Sequence, residues 1–422
     1  MPRLAALVLL LPLALCACAP TQSQAEDRTA PAESQLAQAS NPAFAAWLAE
    51  LKVEARNRGI SQNTLDTAFA DMEGPIPRVL ELDQRQPEFR LSFWRYLGNA
   101  VTEERVELGR AYLAAHRDLL QQVADRYGVQ PRFLVAFWGL ETNYGSNFGS
   151  YPVVHALATL AYDPRRSDFF RAELFEALEI IDDGHIAAAR MEGSWAGAMG
   201  HLQFMPSTFN AYAVDGDGDG RRNIWDSLPD VFSSAANFLG NLGWNGDETW
   251  GREVQLPGGF DYGLVSIETF PETRKPLSAW ASLGLRAADG SPLPYGDQRA
   301  ALLLPAGHEG PAFLVYDNYR RILNWNRSIL YAIAVGHLAD RLVGGGPLVA
   351  QPPLEEARVS TEDIKQMQSL LNRLGFSAGT PDGKVGPMTR NAIRDFQRSQ
   401  GIPTDAFPSA SLLATLRRAA AQ

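Results

Sequence analysis

The segment Pro131 to Gly145 reads PRFLVAFWGLETNYG and places one carboxylate, Glu141, at the end of an apolar run. At helical spacing Phe137 and Trp138 lie one turn before it, on the face it shares. Apolar neighbours strip water from a carboxyl, disfavour its charged form and raise its pKa. An acid still protonated near neutrality is what general-acid catalysis uses. The same position also suits a structural partner for a basic residue, so this segment alone does not decide.

A second segment, Gly193-Ser194-Trp195-Ala196-Gly197-Ala198-Met199-Gly200-His201-Leu202-Gln203-Phe204-Met205-Pro206-Ser207, is rich in glycine around polar and aromatic side chains. Glycines let backbone approach a ligand closely, Gln203 brings both a donor and an acceptor, and Phe204 offers a stacking face. It also reads as a loop feeding a helix that Ser207 would N-cap.

Asp215-Gly216-Asp217-Gly218-Asp219-Gly220, continued to Asp226, follows the calcium-loop pattern except at its last place. Asp215, Asp217 and Asp219 would be side-chain ligands and Gly220 the sharp turn. The Arg221 carbonyl would be the next ligand, Asn223 would follow, and Asp226 would close the loop in place of the usual Glu. Three acids this close repel one another without a cation. Calcium bound here would be structural, bracing the Gln203 segment. The six histidines (His116, His155, His185, His201, His308 and His337) form no ligand-spaced pair; His201, beside the Gln203 segment, reads as a core or surface residue, with contact to a ligand as the alternative.

These groups need elements to hold them, and helical periodicity dominates up to about Leu342. Phe44, Trp47, Leu48 and Leu51 form one stripe. Glu104 to Tyr127, Pro131 to Glu141, Arg171 to Ile181, Leu228 to Leu242 and Arg327 to Leu342 read as further helices, with Pro131 suited to a first helical position. Gly251 to Leu304 is different: it is rich in Gly and Pro, and Glu253-Val254-Gln255-Leu256 alternates. A partly β subdomain inserted into a mainly α (α+β) domain is therefore expected. Gly344-Gly345-Gly346-Pro347 and Gln351-Pro352-Pro353 mark a linker. Beyond it, Ile364, Met367, Leu371 and Leu374 on one helix and Ile393 and Phe396 on another flank a turn-rich loop, Gly379 to Pro387.

The chain has 422 residues, 45% hydrophobic and 20% charged, with a net charge of −10. That suits a soluble protein of two or three domains and argues against a general nucleic-acid binder. Arg3 and the apolar run Leu4 to Leu15 form an export leader too short to be a permanent span. Residues 20–40, without periodicity, read as a flexible tether. Both cysteines, Cys16 and Cys18, lie at the leader's end, so neither a disulfide framework nor a thiolate zinc site is available to the folded body.

FWGLETNYG, YPVVHALATLAYDPRR and GSWAGAMGHLQFMPSTF, in that order, closely resemble the membrane-bound lytic transglycosylase B family from about Tyr96 to Leu342. The resemblance implies a lysozyme-like catalytic domain with Glu141 as the single catalytic acid/base. It also implies that Tyr96, Ser194, Gln203, Phe204, Asn326 and Tyr331 line a glycan cleft. Phe238 and Trp325 stand at cleft positions where some members carry tyrosine; each keeps a stacking surface and changes a hydrogen bond. Related transglycosylases have a lengthened metal loop, which makes Asp230 an alternative to Asp226 as its closing acid. Asp382-Gly383-Lys384-Val385-Gly386-Pro387, Thr389, Ala392 and Phe396-Gln397 resemble the small three-helix peptidoglycan-binding domain of many cell-wall hydrolases. Leu15-Cys16-Ala17-Cys18 resembles a bacterial lipobox, with Cys18 as the lipidated residue and Ala19 suiting outer-membrane retention; an ordinary cut after Ala19 is the alternative.

The implied organisation is a lipoprotein-type signal peptide over 1–18, a flexible linker over 19–40 and a catalytic domain over 41–343. A Gly/Pro linker over 344–358 and a peptidoglycan-binding domain over 359–422 follow. The implied activity is cleavage of the β-1,4 bond between N-acetylmuramic acid and N-acetylglucosamine in peptidoglycan strands. It leaves 1,6-anhydromuramic acid ends in the periplasm and needs no organic cofactor. Two alternatives stand beside it: a hydrolytic muramidase on the same fold, and a non-catalytic wall-binding lipoprotein.

Overall fold

The computed structural model of the chain describes residues 41–84, 91–266, 274–294, 296–353 and 359–421. The leader, Cys18 and the 19–40 tether lie outside the described residues.

Among the described residues, eight helices begin where a short polar side chain takes a free backbone N–H. Asn41, Ser61, Ser92, Thr102, Ser227, Ser328, Ser360 and Ser409 each cap the helix that follows by accepting from the amide three residues on. The continuous pattern from Glu104 to Tyr127 is two helices, Glu103–Ala115 and Arg117–Tyr127, broken at His116. Periodicity persists across the break because both pieces bury residues in one core, including Val106, Leu120 and Val123.

The helix Pro131–Thr142 is the centre of the molecule. Every residue from Phe133 to Leu140 is buried, as expected of a helix apolar on all sides. It packs against Ile329–Leu342, Glu103–Ala115, Arg117–Tyr127 and Leu228–Asn241. Gly109 and Gly139 both lie against the ring of Tyr144, whose hydroxyl donates to the Arg105 carbonyl at 2.7 Å.

The insertion is a five-stranded antiparallel sheet. Its strands are β3 (Gly251–Gln255), β4 (Lys275–Pro276), β5 (Arg286–Ala287), β6 (Arg299–Leu303) and β7 (Ala312–Val315), in the order β4-β6-β7-β3-β5. A separate two-residue pair joins β1 (Tyr151–Pro152) to β2 (Glu192–Gly193). The sheet runs on to Val315, past the Leu304 boundary that Gly/Pro content suggests. Strands β6 and β7 hid as continuous apolar runs because both faces are buried. Ala300, Leu302, Ala312 and Leu314 enter a local core with Trp280 and Phe260, while Ala301, Leu303, Phe313 and Val315 join the helical core.

Trp250 ties sheet to helices: its indole lies against Gly336 and donates to Asp340 Oδ2 at 2.9 Å. The linker is also attached, since the Val349 and Ala350 amides both donate to the Glu253 carboxylate at 2.8 Å. Beyond it, helices Thr361–Arg373, Pro387–Ser399 and Ala410–Ala419 enclose a core of Ile364, Met367, Leu371, Ile393, Phe396 and Leu416. This module rests on the β insertion. Buried Asp405 accepts from the backbone and ring nitrogens of His308 at 2.9 and 2.7 Å, and Arg394 donates to the Val265 carbonyl at 2.7 Å.

A Cβ at position 336 would sit 2.1 Å from the Trp250 ring. Gly336→Ala should therefore destabilise the chain by about 1–3 kcal/mol, seen as a lower urea midpoint; an unchanged midpoint would refute the close packing.

Candidate active site

Glu141 lies on the last turn of its helix, which stops because Asn143 and Tyr144 both take left-handed conformations, φ 48° and 59°. Arg105, buried under the site, steadies this turn by donating from Nε to Asn143 Oδ1 at 3.2 Å. Its other contacts are the Asn99 and Ala100 carbonyls, at the end of the helix that carries Tyr96.

The Glu141 carboxyl is largely enclosed, though the residue keeps some solvent access. Oε1 accepts two hydrogen bonds, from Trp325 Nε1 at 2.9 Å and Tyr331 Oη at 2.5 Å. Burial pushes its pKa up to about 7, against the opposing pull of these two bonds. Among the described residues no neighbouring carboxylate contributes to the shift. The Tyr331 hydroxyl is held well above its usual range, by burial first and by Glu141 second, so it remains a donor.

Aromatic rings enclose one side. Trp325 lies 4.4 Å from Phe137, 5.3 Å from Phe204 and 5.2 Å from Phe238, centroid to centroid. Tyr212 continues the group 4.6 Å from Phe238. Tyr96 is buried and acts electrostatically on Tyr331. Asn326, next to Trp325, accepts from the Ser328 amide through Oδ1 at 3.1 Å, which leaves its amide nitrogen available to donate.

The glycine-rich segment is a folded loop rather than an open one. Ser194 Oγ accepts from the Ala196 and Ala198 amides at 3.3 and 3.0 Å, and Met199 and Phe204 exchange backbone bonds at 2.8 and 3.1 Å. Gly197 and Gly200 have φ of 90° and 60°, and Gln203 itself has φ 49°. The Gln203 amide nitrogen is spent on the Phe148 and Gly200 carbonyls, both at 3.1 Å, leaving its oxygen as the acceptor for a ligand. The loop is fixed to the Glu141 helix at two points. Trp138 Nε1 donates to His201 Nδ1 at 2.7 Å, and Thr142 Oγ1 donates to the His201 carbonyl at 3.1 Å. Burial lowers the His201 pKa to about 4, so the ring is a neutral acceptor.

The expected cap by Ser207 is replaced. The helix Pro206–Tyr212 starts two residues earlier, because Pro206 fits its first position, and Met205 is the N-cap. Glu173 supplies the missing acceptor, taking the Ser207 amide at 3.0 Å and its hydroxyl at 2.7 Å.

In the acidic loop, Asp215, Asp217 and Asp230 each bring a carboxylate oxygen within 4.8 Å of the others. Asp230 is fully buried on the first turn of Leu228–Asn241 and accepts the Gly216 and Asn223 amides at 2.7 and 2.6 Å. Asp226 lies outside the trio and pairs with Arg190 at 2.7 Å. Asp219 is exposed and outside the trio, with Oδ1 accepting the Arg221 amide at 2.8 Å. Among the described residues no salt bridge reaches Asp215, Asp217 or Asp230. Three carboxylates, one of them fully buried, therefore converge with backbone amides and a serine hydroxyl but no cationic side chain to offset their charge, a donor set that fits a hard divalent cation.

Neither the role of Arg105 nor the Trp138–His201 bond can be read from spacing. An arginine early in a charged helix reads as solvated, and only the fold brings His201 to Trp138. Phe137 was visible as an apolar neighbour of Glu141, but its stacking on Trp325 was not. A hollow of about 290 Å³ beside Ala114, His116 and Leu119 contains none of the site residues.

Residues 43–340 match the family model of the transglycosylase SLT domain, and residues 360–416 match that of a peptidoglycan binding domain. Membrane-bound lytic murein transglycosylase B of Escherichia coli K12 is 34% identical over 283 residues, covering 65% of this chain and 74% of the relative. The crystal structure of SltB3 from Pseudomonas aeruginosa with NAG-anhNAM-pentapeptide superposes with a TM-score of 0.85 at 46% identity, covering 89% of this chain and 99% of that one. A second structure of SltB3 contains NAG-NAM-pentapeptide. The Escherichia coli lytic transglycosylase Slt35 in complex with calcium superposes with a TM-score of 0.58 at 28% identity, covering 74% and 98%. With a lone buried acid at the end of its central helix and the family model matched across most of its length, the chain belongs to the SLT-domain family of lytic murein transglycosylases.

Proposed function

We propose that this chain is a peptidoglycan lytic transglycosylase whose acid/base is Glu141. The observation that carries the reading is one carboxyl, raised to about pH 7 by burial, with no second carboxylate acting on it. Two-carboxylate glycosidases need a partner acid for a nucleophile or for water; an intramolecular attack does not.

In the first step Glu141 gives its proton to the oxygen of the β-1,4 bond between N-acetylmuramic acid and N-acetylglucosamine. The C1–O bond breaks with its electron pair leaving on that oxygen. Trp325 and Tyr331 donate to the carboxylate that results, and so stabilise charge as it forms. Glu141 then takes the proton of the muramic acid C6 hydroxyl while O6 bonds to C1. The acid is regenerated, the new end is a 1,6-anhydro ring, and no water is consumed. Tyr96, Ser194, Gln203, Phe204, Phe238 and Asn326 are proposed to line the glycan subsites, supported by their grouping around Glu141 and on the loop clamped to its helix. The 360–416 match supports a grip on the same polymer by the C-terminal module.

Calcium is proposed as a structural ion held by Asp215, Asp217, Asp230 and the Arg221 carbonyl, with Asp219 beside them. It would offset the charge of the trio and brace the loop leading from Gln203. The chain is proposed to act in the periplasm, where this polymer lies, held at the outer membrane by lipid on Cys18. Among the described residues no helix is long and apolar enough to cross a membrane.

Glu141→Gln should abolish anhydro ends from purified sacculi, and any ends the native enzyme makes should be lighter by one water than hydrolytic ends. Retained activity in this variant would remove Glu141 from the mechanism. The native fold favours the protonated carboxyl, so the stability it lends is complete below about pH 4.5 and lost as pH rises through about 7. Glu141→Gln should thus gain on the native chain by roughly 3 kcal/mol between pH 4.5 and 8, measured by urea denaturation. Millimolar calcium should raise the melting temperature by about 2–5 °C. That rise should vanish in Asp230→Asn and persist in Asp226→Asn; the opposite pattern would overturn the assignment. Cys18→Ser should move the protein from the membrane to the soluble fraction on cell disruption, and an unchanged distribution would exclude the anchor.

A further inference from the structure

Both hydrogen bonds that the described residues give Glu141 fall on the same oxygen. Oε1 accepts from Trp325 at the end of helix Asp317–Trp325 and from Tyr331 in the first turn of Ile329–Leu342. Oε2 is bonded to none of the described residues. An indole N–H can only donate. An oxygen receiving two donors needs both lone pairs, so Oε1 is the carbonyl-type oxygen of the neutral acid and the proton belongs on Oε2. The indole cannot readily leave this post, for it is packed among Phe137, Phe204 and Phe238.

We infer that Trp325 is a positioning residue that, together with Tyr331, fixes Oε2 of Glu141 as the one atom that delivers the proton and later takes it back. The inference rests on Glu141 being the acid/base. It gives Trp325 a task on the enzyme's own carboxyl rather than on the sugar. With Oε1 tied from two helices, the carboxyl cannot rotate to exchange its oxygens between the two steps. The proton lost from Oε2 to the leaving oxygen is replaced at Oε2 from the C6 hydroxyl.

The test is the pH dependence of kcat/KM on a soluble glycan strand for the full chain and for Trp325→Phe, which keeps a ring and loses the N–H. Losing a donor to the charged form makes Glu141 a weaker acid, so the alkaline limb should move up by about 0.5–1 pH unit. At pH 5, where the acid is protonated in both proteins, kcat should fall about tenfold or more while KM changes little, since geometry is lost and not occupancy. Tyr331→Phe removes the second donor and should move the limb in the same direction, which keeps the test open if Trp325→Phe folds poorly. A folded variant of either kind with its alkaline limb at the native pH would overturn the inference. Activity surviving in Glu141→Gln would instead overturn the acid/base reading beneath it.

Discussion

The structure turns on a conflict at one carboxyl group. Burial favours the neutral form of Glu141, while two donors favour its anion, and the balance falls near neutrality. Either influence alone would make a poor catalyst: burial without donors gives an acid too weak to release its proton, and donors without burial give a permanent anion. The balance depends on two helices meeting, since Glu141 ends one and its nearest hydroxyl donor opens the other. The small residues Gly109 and Gly139 let Tyr144 close the space beneath them. The remaining elements can be understood as keeping that meeting point fixed.

The two halves of the site are held by different means. The aromatic side is set by packing: Phe137, Phe204, Phe238 and Trp325 lock one another. The glycine-rich side is set by hydrogen bonds, with Ser194 folding the turn and Trp138 and Thr142 fastening it to the helix. Its far end runs into the acidic loop, where Asp230 receives backbone amides from Gly216 and Asn223. The loop that carries Gln203 is thus tied at the Glu141 helix and followed by a second anchored turn.

Local rules identified the elements whose burial is one-sided or whose chemistry is local. The stripes around Phe44 and Ile364, Pro131 at a helix start and the glycine linker all follow from spacing and turn chemistry. The rules failed where tertiary context decides. Strands β6 and β7 lack alternation because both their faces are covered, and His116 breaks a helix whose apolar pattern does not change. Ser207 looked like a cap, but Glu173, which is distant in sequence, does that work. Glu141 was legible from its two apolar neighbours. Its hydrogen-bond donors were not, because Trp325 and Tyr331 lie nearly two hundred residues away and were visible only as members of a cleft. Spacing within the loop also cannot reveal that Asp226 pairs with Arg190 while Asp230 lies beside Asp215 and Asp217.

The Trp138–His201 contact has one further consequence. An indole nitrogen facing an imidazole nitrogen works only while the imidazole has a lone pair to offer, and here it keeps that lone pair down to about pH 4. Protonation would set two donors against each other at a buried junction, which is unfavourable. Mild acidification of the space around the cell wall therefore leaves this fastening untouched. It is a rivet insensitive to acid, made from the side chain best known for responding to it.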